Sequence, residues 1–137
     1  MTLIAEHFAK QTVHGFDSFI GLPEQWGAKN NGDLSIGGTA PALPVKNVEF
    51  HVGFFDTTVP KFAANFSRPF SFVHLGADLH SSTKTVFDEL GDWFQPGTII
   101  VFDEYFGYHS RERREHRAFE EFLAATGLRF EGSVSVT

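Results

Sequence analysis

Alternation between short apolar runs and longer segments with helical periodicity is the feature that most constrains the fold of this chain. The predicted strands are the strand-length apolar runs at residues 12–16, 48–55, 70–75, 98–102 and 129–136. The predicted helices, with apolar residues at helical spacing, are residues 1–10, 83–94 and 111–126. Parallel strands need long crossover connections, which helices usually provide. The pattern therefore predicts an α/β fold with a Rossmann-like, mostly parallel sheet and helical crossovers.

One long segment interrupts this alternation. Residues 27–44 (GAKNNGDLSIGGTAPALP) are rich in Gly, Asn and Pro. Such a composition predicts a loop. Loops of this length inside a compact domain are uncommon and usually have a function or are mobile. We therefore expect a functional or mobile loop here.

The length of 137 residues predicts one domain, spanning residues 1–137. A domain of this size buries about two-thirds of its unfolded surface, which is enough for a real core. The chain contains 17 Phe residues, and aromatic side chains supply large apolar areas to cores and to interfaces alike. We expect part of this aromatic surface to lie between chains.

Charge and residue usage exclude several classes of function. The net charge of −6 disfavours nucleic acid as a partner, because phosphate-backbone binding depends on Lys and Arg. The Arg residues of SRERREHR (110–117) alternate with Glu, which favours a solvated, salt-bridged helix face over a phosphate-binding patch. The absence of Cys excludes disulfides, thiolate zinc sites and Cys nucleophiles. The histidines lack metal-ligand spacing along the chain, so the sequence does not predict a zinc site.

The first residues, MTLIAEHFAK, contain an acid and no long apolar core. They resemble neither a signal peptide nor a membrane span. We therefore expect a cytoplasmic protein with no membrane partner.

Acidic residues follow the predicted strands at the points where the strands end. They are Asp17, Asp56, Asp78 and the pair Asp103–Glu104. The carboxyl ends of parallel strands lie at one edge of a sheet, where ligands bind. Clustered carboxylates at such an edge suit a sugar-like diol, a cation or proton abstraction. The alternative is that each acid caps a helix or closes a turn.

Five consecutive segments resemble the class I S-adenosylmethionine-dependent methyltransferases, and most closely the macrocin-type sugar O-methyltransferases. These segments are GFDSFIGLPEQW (15–26), FHVGFFDTTVPKF (50–62), HLGADLHSSTKT (74–85), PGTIIVFDEYFG (96–107) and EHRAFEEFL (115–123). The blocks FDSFxGLP and ADLxSST are the specific ones. The resemblance implies a class I methyltransferase fold and methyl transfer from S-adenosylmethionine to a hydroxyl group of a small-molecule acceptor, a sugar or a natural product.

The resemblance also implies which residues bind the cofactor. Asp17 matches the acid that accepts hydrogen bonds from the cofactor ribose, with Ser18 beside it. Gly53 and Phe54 match the region that lines the adenine, where Gly permits close backbone approach and Phe offers a stacking face. The alternative for Asp17 is an Asx-turn with Ser18 and Phe19.

Catalytic and metal-binding roles follow from the same resemblance. Asp78 matches the general base that takes the proton of the acceptor hydroxyl. His80 replaces a family Tyr and is either a proton shuttle or a surface imidazole. Asp103 and Glu104 match an acidic pair that helps hold a divalent cation, and their oxygen ligands suit Mg²⁺. Gly76 replaces a family acid, so one metal ligand is missing and we expect weaker binding of the ion.

The sequence departs from the family in one larger respect. It contains no G-x-G-x-x-G loop, and no strand is predicted before the first helix. We expect a methyltransferase-like domain that is truncated at both ends, with weak or absent S-adenosylmethionine binding and doubtful activity. We also expect a homodimer, because the family's missing first strand would leave strand edges open to a second copy. The alternative is an inactive remnant that acts only through association with itself or a partner.

Overall fold

The fold is α/β with small parallel sheets, as the computed structural model of residues 1–23, 30–77, 79–103 and 115–132 shows. The contacts divide the chain into two compact units, Met1–Phe66 and Ser67–Thr137, here called the N-terminal and C-terminal units. Within the described residues, each unit contains one pair of parallel strands. The predicted α/β class and the predicted parallel pairing are therefore confirmed.

The N-terminal unit contains α1 (Thr2–His7), β1 (Val13–Asp17), β2 (Val48–Val52) and α2 (Phe55–Ala63). Strands β1 and β2 pair in parallel, with Val13 opposite Val48 and Asp17 opposite Val52. The predicted strand at 48–55 therefore ends three residues early. The helix α2 was not predicted, because its Pro60 lacks the amide that a helix interior uses and its Thr and Val residues favour strands.

The long loop between β1 and β2 packs back onto the segment that follows β1. The carbonyl oxygen of Phe19 accepts hydrogen bonds from the amides of Ile36 (2.9 Å) and Gly38 (2.8 Å). The amide of Leu22 donates to the carbonyl of Asp33 at 3.0 Å. Residues 30–44 form no helix or strand, which confirms the predicted loop over its described part. These hydrogen bonds hold the loop in one place.

The C-terminal unit contains β3 (Phe72–Leu75), α3 (His80–Leu90), a 3₁₀ turn (Gly91–Trp93), β4 (Ile99–Phe102) and α4 (Glu115–Thr126). Strands β3 and β4 pair in parallel, with Phe72 opposite Ile99 and Leu75 opposite Phe102. Because α3 lies between them in sequence, this unit has the helical crossover that the alternation predicts.

Aromatic packing between α3 and α4 forms the core of the C-terminal unit. The ring of Phe87 stacks on Phe122 with centroids 4.6 Å apart, and Phe94 lies 5.3 Å from Phe87. Phe102 of β4 packs against Phe119 at 5.2 Å. Part of the large Phe content is therefore explained by the interior of this unit.

The predicted final strand is wrong over residues 129–132, which form neither helix nor strand. The rest of that segment lies outside the described residues. Gly127, with φ +71°, follows α4 at the predicted stop, because Gly adopts the left-handed conformation that commonly ends a helix.

No helix in the described part of the chain is long and apolar enough to cross a membrane. The longest of them, α4, has 12 residues, whereas a spanning helix needs about 20.

Candidate functional site

The carboxyl ends of β1 and β2 bring two of the predicted cofactor residues together. Asp17 is the last residue of β1, and its carbonyl oxygen accepts a hydrogen bond from the amide of Gly53 at 3.0 Å. Asp17 is exposed to solvent. The acid and the glycine are thus neighbours at one edge of the N-terminal strand pair, as the parallel pairing predicts.

The carboxylate of Asp17 also closes a turn. Its Oδ1 accepts a hydrogen bond from the amide of Phe19 at 2.8 Å, which is the Asx-turn that the sequence left open as an alternative. Within residues 1–23 and 30–77, the hydrogen bonds of this carboxylate use Oδ1 alone. The turn and a ligand role for Oδ2 are therefore compatible.

Ser18 and Phe19 shape the same turn. The hydroxyl of Ser18 donates to the carbonyl of Gly21 at 3.1 Å, so its hydrogen is used within the turn. Phe19 has φ +56°, a left-handed conformation that is costly for a bulky residue. This conformation persists because the Phe19 carbonyl accepts hydrogen bonds from the long loop. The buried Phe19 ring also packs on Phe50, with the ring centroids 5.6 Å apart.

Gly53 and Phe54 connect β2 to α2. Gly53 has φ +144°, which L side chains rarely adopt. Phe54 is the N-cap of α2, and its carbonyl oxygen accepts hydrogen bonds from the amides of Thr57 (3.1 Å) and Thr58 (3.0 Å). Asp56 lies in the first turn of α2, where a negative charge is favourable, so its predicted place at a strand end is wrong.

A second acidic edge lies at the ends of β3 and β4. Asp103 directly follows β4, and its amide donates to the carbonyl of Leu75 at 3.1 Å. Its Oδ1 lies 2.6 Å from Nε2 of His74. A Cβ atom at Gly76 would lie 2.8 Å from Oδ2 of Asp103. Gly76 therefore makes room for the Asp103 carboxylate.

Two predicted site residues at this edge, the proposed base Asp78 and the metal ligand Glu104, lie outside the described residues. The described member of the predicted magnesium pair, Asp103, is paired with the imidazole of His74.

His80 begins α3 and contacts α4. Its Nε2 lies 3.2 Å from Oε2 of Glu121, whose other oxygen accepts a hydrogen bond from Nε of Arg117 at 2.8 Å. Arg117, and after it His80, hold the pKa of the Glu121 carboxyl below its usual value. This geometry links the two helices, and the proton-shuttle role of His80 stays a prediction.

Glu115, at the start of α4, is a residue whose importance the sequence did not reveal. Its side chain is 1% exposed, and its Oε1 accepts a hydrogen bond from the amide of Ala77 at 2.9 Å. The predicted solvated face is therefore wrong at this position. Charge periodicity could not identify it, because a glutamate in the first turn of a helix is ordinarily explained by the helix dipole.

Three potential metal ligands form a cluster that their spacing along the chain does not predict: His14, Glu49 and His51. The potential ligand atoms of the three side chains all lie within 4.8 Å of one another. The two histidines are 37 positions apart, so motif spacing alone could not connect them. The available signal was the parallel register, which places His14 opposite Glu49 and Phe16 opposite His51.

No protein-family model matches this chain, and no curated protein is significantly similar to it. The methyltransferase resemblance therefore remains a prediction from the sequence motifs.

Proposed function

We propose that this chain is a Rossmann-like, S-adenosylmethionine-dependent O-methyltransferase domain whose acceptor is a hydroxyl group of a sugar or natural product. The observation that carries the proposal is the exposed Asp17 carboxylate at the end of β1, beside Gly53 at the end of β2. An acid in this position of a parallel sheet suits the vicinal hydroxyls of a ribose. The Asx-turn fixes the carboxylate through Oδ1 and leaves Oδ2 to accept a ribose hydroxyl.

The strained turn supports the same proposal. The left-handed Phe19 directly follows the acid and is maintained by hydrogen bonds from the long loop. Backbone strain of this kind concentrates at ligand-binding sites, where the surrounding structure holds a conformation that the residue would otherwise avoid. In this proposal the turn orients Asp17 before the cofactor arrives.

Cofactor titration tests the proposal. We expect S-adenosylmethionine to bind with a dissociation constant on the order of 1 mM, because the sequence contains no G-x-G-x-x-G loop to hold the methionine end. Asp17→Asn keeps an oxygen acceptor for the Phe19 amide but removes the charge, so it should abolish the binding and leave the fold intact. Asp92→Asn, at an exposed position of the C-terminal unit, is the matched control. Binding that survives Asp17→Asn unchanged, or no binding at several times that concentration, would contradict the proposal.

Methyl transfer is tested separately, with a panel of hydroxylated acceptors. In the proposed mechanism Asp78 accepts the proton of the acceptor hydroxyl as the methyl group is transferred. Asp78→Asn should then lower the rate by on the order of a hundredfold or more. Asp88→Asn, in α3, serves as the control because its side chain pairs with Lys84 at the helix surface. Unchanged turnover in Asp78→Asn would remove that residue from the mechanism.

The proposed magnesium ion would have Asp103 and Glu104 as its protein ligands. Its test is the dependence of cofactor binding or turnover on Mg²⁺. Because Asp103 is already paired with His74, we expect weak binding that improves in His74→Gln. Equal Mg²⁺ dependence in Asp103→Asn would exclude this site.

Self-association is a second candidate function, favoured by one apolar sheet surface. Ile99 and Val101 alternate along β4 and are 59% and 37% exposed. Side chains two apart on a strand share a face, so these two form an apolar patch that a second copy of the chain could cover. We propose a homodimer on this basis.

Sedimentation at several concentrations tests the dimer. Ile99→Lys should shift the chain to a monomer, whereas Ile36→Lys, at an exposed apolar position in the long loop, should not. A folded wild-type monomer throughout the micromolar range would contradict self-association without bearing on cofactor binding.

A further inference from the structure

Two histidines and a glutamate meet on the face of β1 and β2 against which Phe62 of α2 packs. The atoms Nδ1 of His14 and Nε2 of His51 are 3.1 Å apart. A zinc-type ion with bonds of about 2.0–2.1 Å in tetrahedral geometry separates two ligand nitrogens by about 3.3 Å. A movement of a few tenths of an ångström would let one ion bind both imidazoles.

Glu49 supplies a third ligand from the same face. Its Oε2 lies 3.9 Å from Nδ1 of His14, and its Oε1 lies 4.0 Å from Nε2 of His51. The Glu49 side chain is 60% exposed and can therefore rotate inward by the distance that a metal–oxygen bond of about 2.0–2.2 Å requires. Two imidazoles and one carboxylate form a ligand set that zinc adopts when a fourth position is left to water or substrate.

Aromatic neighbours orient the two imidazole rings. Phe16 stacks on His51 with centroids 4.5 Å apart and planes 14° apart, and Phe62 lies 4.7 Å from His14 and 5.1 Å from His51. Rings that are already oriented lose little freedom when they bind an ion. Both histidine side chains remain partly exposed, at 25% and 20%, so an ion can reach them from solvent.

We propose that His14, Glu49 and His51 form a binding site for a divalent cation of the zinc class, which links β1 to β2. A proton shared between the two imidazoles would account for the distance between the nitrogens, but it gives no role to a carboxylate near both of them. This site is independent of the proposed cofactor site. Its three ligands lie within β1 and β2, whereas Asp17 ends β1 and Gly53 follows β2.

Metal titration of the untagged, chelator-treated full chain tests the proposal. Zn²⁺ in competition with a chromogenic chelator should bind at one ion per chain, and Co²⁺ should give the absorption of a tetrahedral site. His14→Gln and His51→Gln should each weaken binding by at least about 100-fold, the upper end of the loss caused by removing an outer partner of a ligand. Glu49→Gln should weaken it by at least about tenfold.

The control variants are His80→Gln and His116→Gln, which remove imidazoles that also lie beside carboxylates. They should bind Zn²⁺ as the wild type does. Equal losses in the controls, or no stoichiometric binding in the wild type, would overturn the proposal and leave a shared proton between the imidazoles.

A second measurement covers the case in which the histidine variants do not fold. In the wild-type chain, Zn²⁺ should shift the imidazole resonances of His14 and His51 before those of His74 and His80. It should also raise the thermal midpoint with increasing ion concentration, because the ion binds the folded state. Shifts that begin at His74 or His80 would contradict the site.

Discussion

The two parallel strand pairs place the same components at their carboxyl ends in opposite order. In the N-terminal unit the acid, Asp17, ends the first strand and Gly53 follows the second. In the C-terminal unit Gly76 follows the first strand and the acid, Asp103, follows the second. In both units the residue after the second strand donates its amide to the last residue of the first, at 3.0 and 3.1 Å.

The carboxyl edges of the two strand pairs differ in the contacts that stabilise them. The N-terminal edge is held by backbone hydrogen bonds from a long loop, and its acid engages only its own turn within the described residues. At the C-terminal edge, side chains make the additional contacts: Asp103 contacts His74, and the buried Glu115 accepts a hydrogen bond from the amide of Ala77. In two similar strand pairs, the carboxylate of Asp17 is thus bonded within its own turn, whereas that of Asp103 contacts an imidazole.

The largest expected effect is at Gly21, where the long loop meets the turn. Gly21→Ala would place a Cβ 2.4 Å from the carbonyl oxygens of Asp33 and Gly32, at φ +93°. We expect a loss of about 3 kcal/mol in the free energy of unfolding from strain and backbone collision together. Gly32→Ala, at φ +85° with no atom within 4 Å, should cost only about 1 kcal/mol. Equal losses in denaturant unfolding would show that the loop does not hold this turn.

The next effect concerns the side-chain support of the C-terminal edge. Glu115→Ala leaves the partly buried amide of Ala77 without its carboxylate acceptor, and we expect a loss of about 1–3 kcal/mol. Glu120→Ala removes an acid from the same helix at an exposed position and should change stability by less than about 0.5 kcal/mol. Urea unfolding of both variants measures the difference. A neutral Glu115→Ala would mean that backbone contacts alone hold this edge.

The two glycines beside the acids provide a direct comparison. Gly53→Ala should cost about 1–3 kcal/mol, because residue 53 has φ +144°. Gly76→Ala should cost less than about 1 kcal/mol, because the new Cβ meets the end of the Asp103 side chain, which can move away. Proton spectra should show the His74 imidazole shifting in Gly76→Ala. An unchanged His74 resonance would contradict the contact that differentiates the two edges.

The smallest effect is the pH dependence of the contact between α3 and α4. The guanidinium of Arg117, followed by His80, lowers the pKa of Glu121 in the folded chain. Because the pKa of Glu121 is lower in the folded chain, its ionised carboxylate stabilises the fold at pH values above the unfolded pKa of about 4.3. This contribution is lost as the pH falls through the pKa of the folded chain. The stability difference between wild type and Glu121→Gln should therefore shrink between pH 6 and pH 3, measured by unfolding at each pH. A difference that is constant over this range would exclude the contribution.

The sequence by itself determined the order of the four strands and of the helices other than α2, and it identified the strand-end acids Asp17 and Asp103. Apolar periodicity identifies those elements because a buried helix face or strand must repeat at its own period. It did not identify α2, whose Pro60 and β-branched residues disfavour a helix in isolation, or the end of the strand at Val52, where Gly53 takes a positive φ.

Tertiary structure decided the contacts between residues that are distant in sequence. The register of β1 and β2 brings His14 to His51, and Gly76 leaves room for the carboxylate of Asp103. The packing of α4 brings the buried Glu115 to the amide of Ala77. Local patterns encode which surface of an element is apolar, but the partner of a polar side chain depends on which elements are packed together. The buried carboxylate of Glu115 needs a hydrogen-bond partner from the elements packed against it, and that partner became visible only in the folded chain.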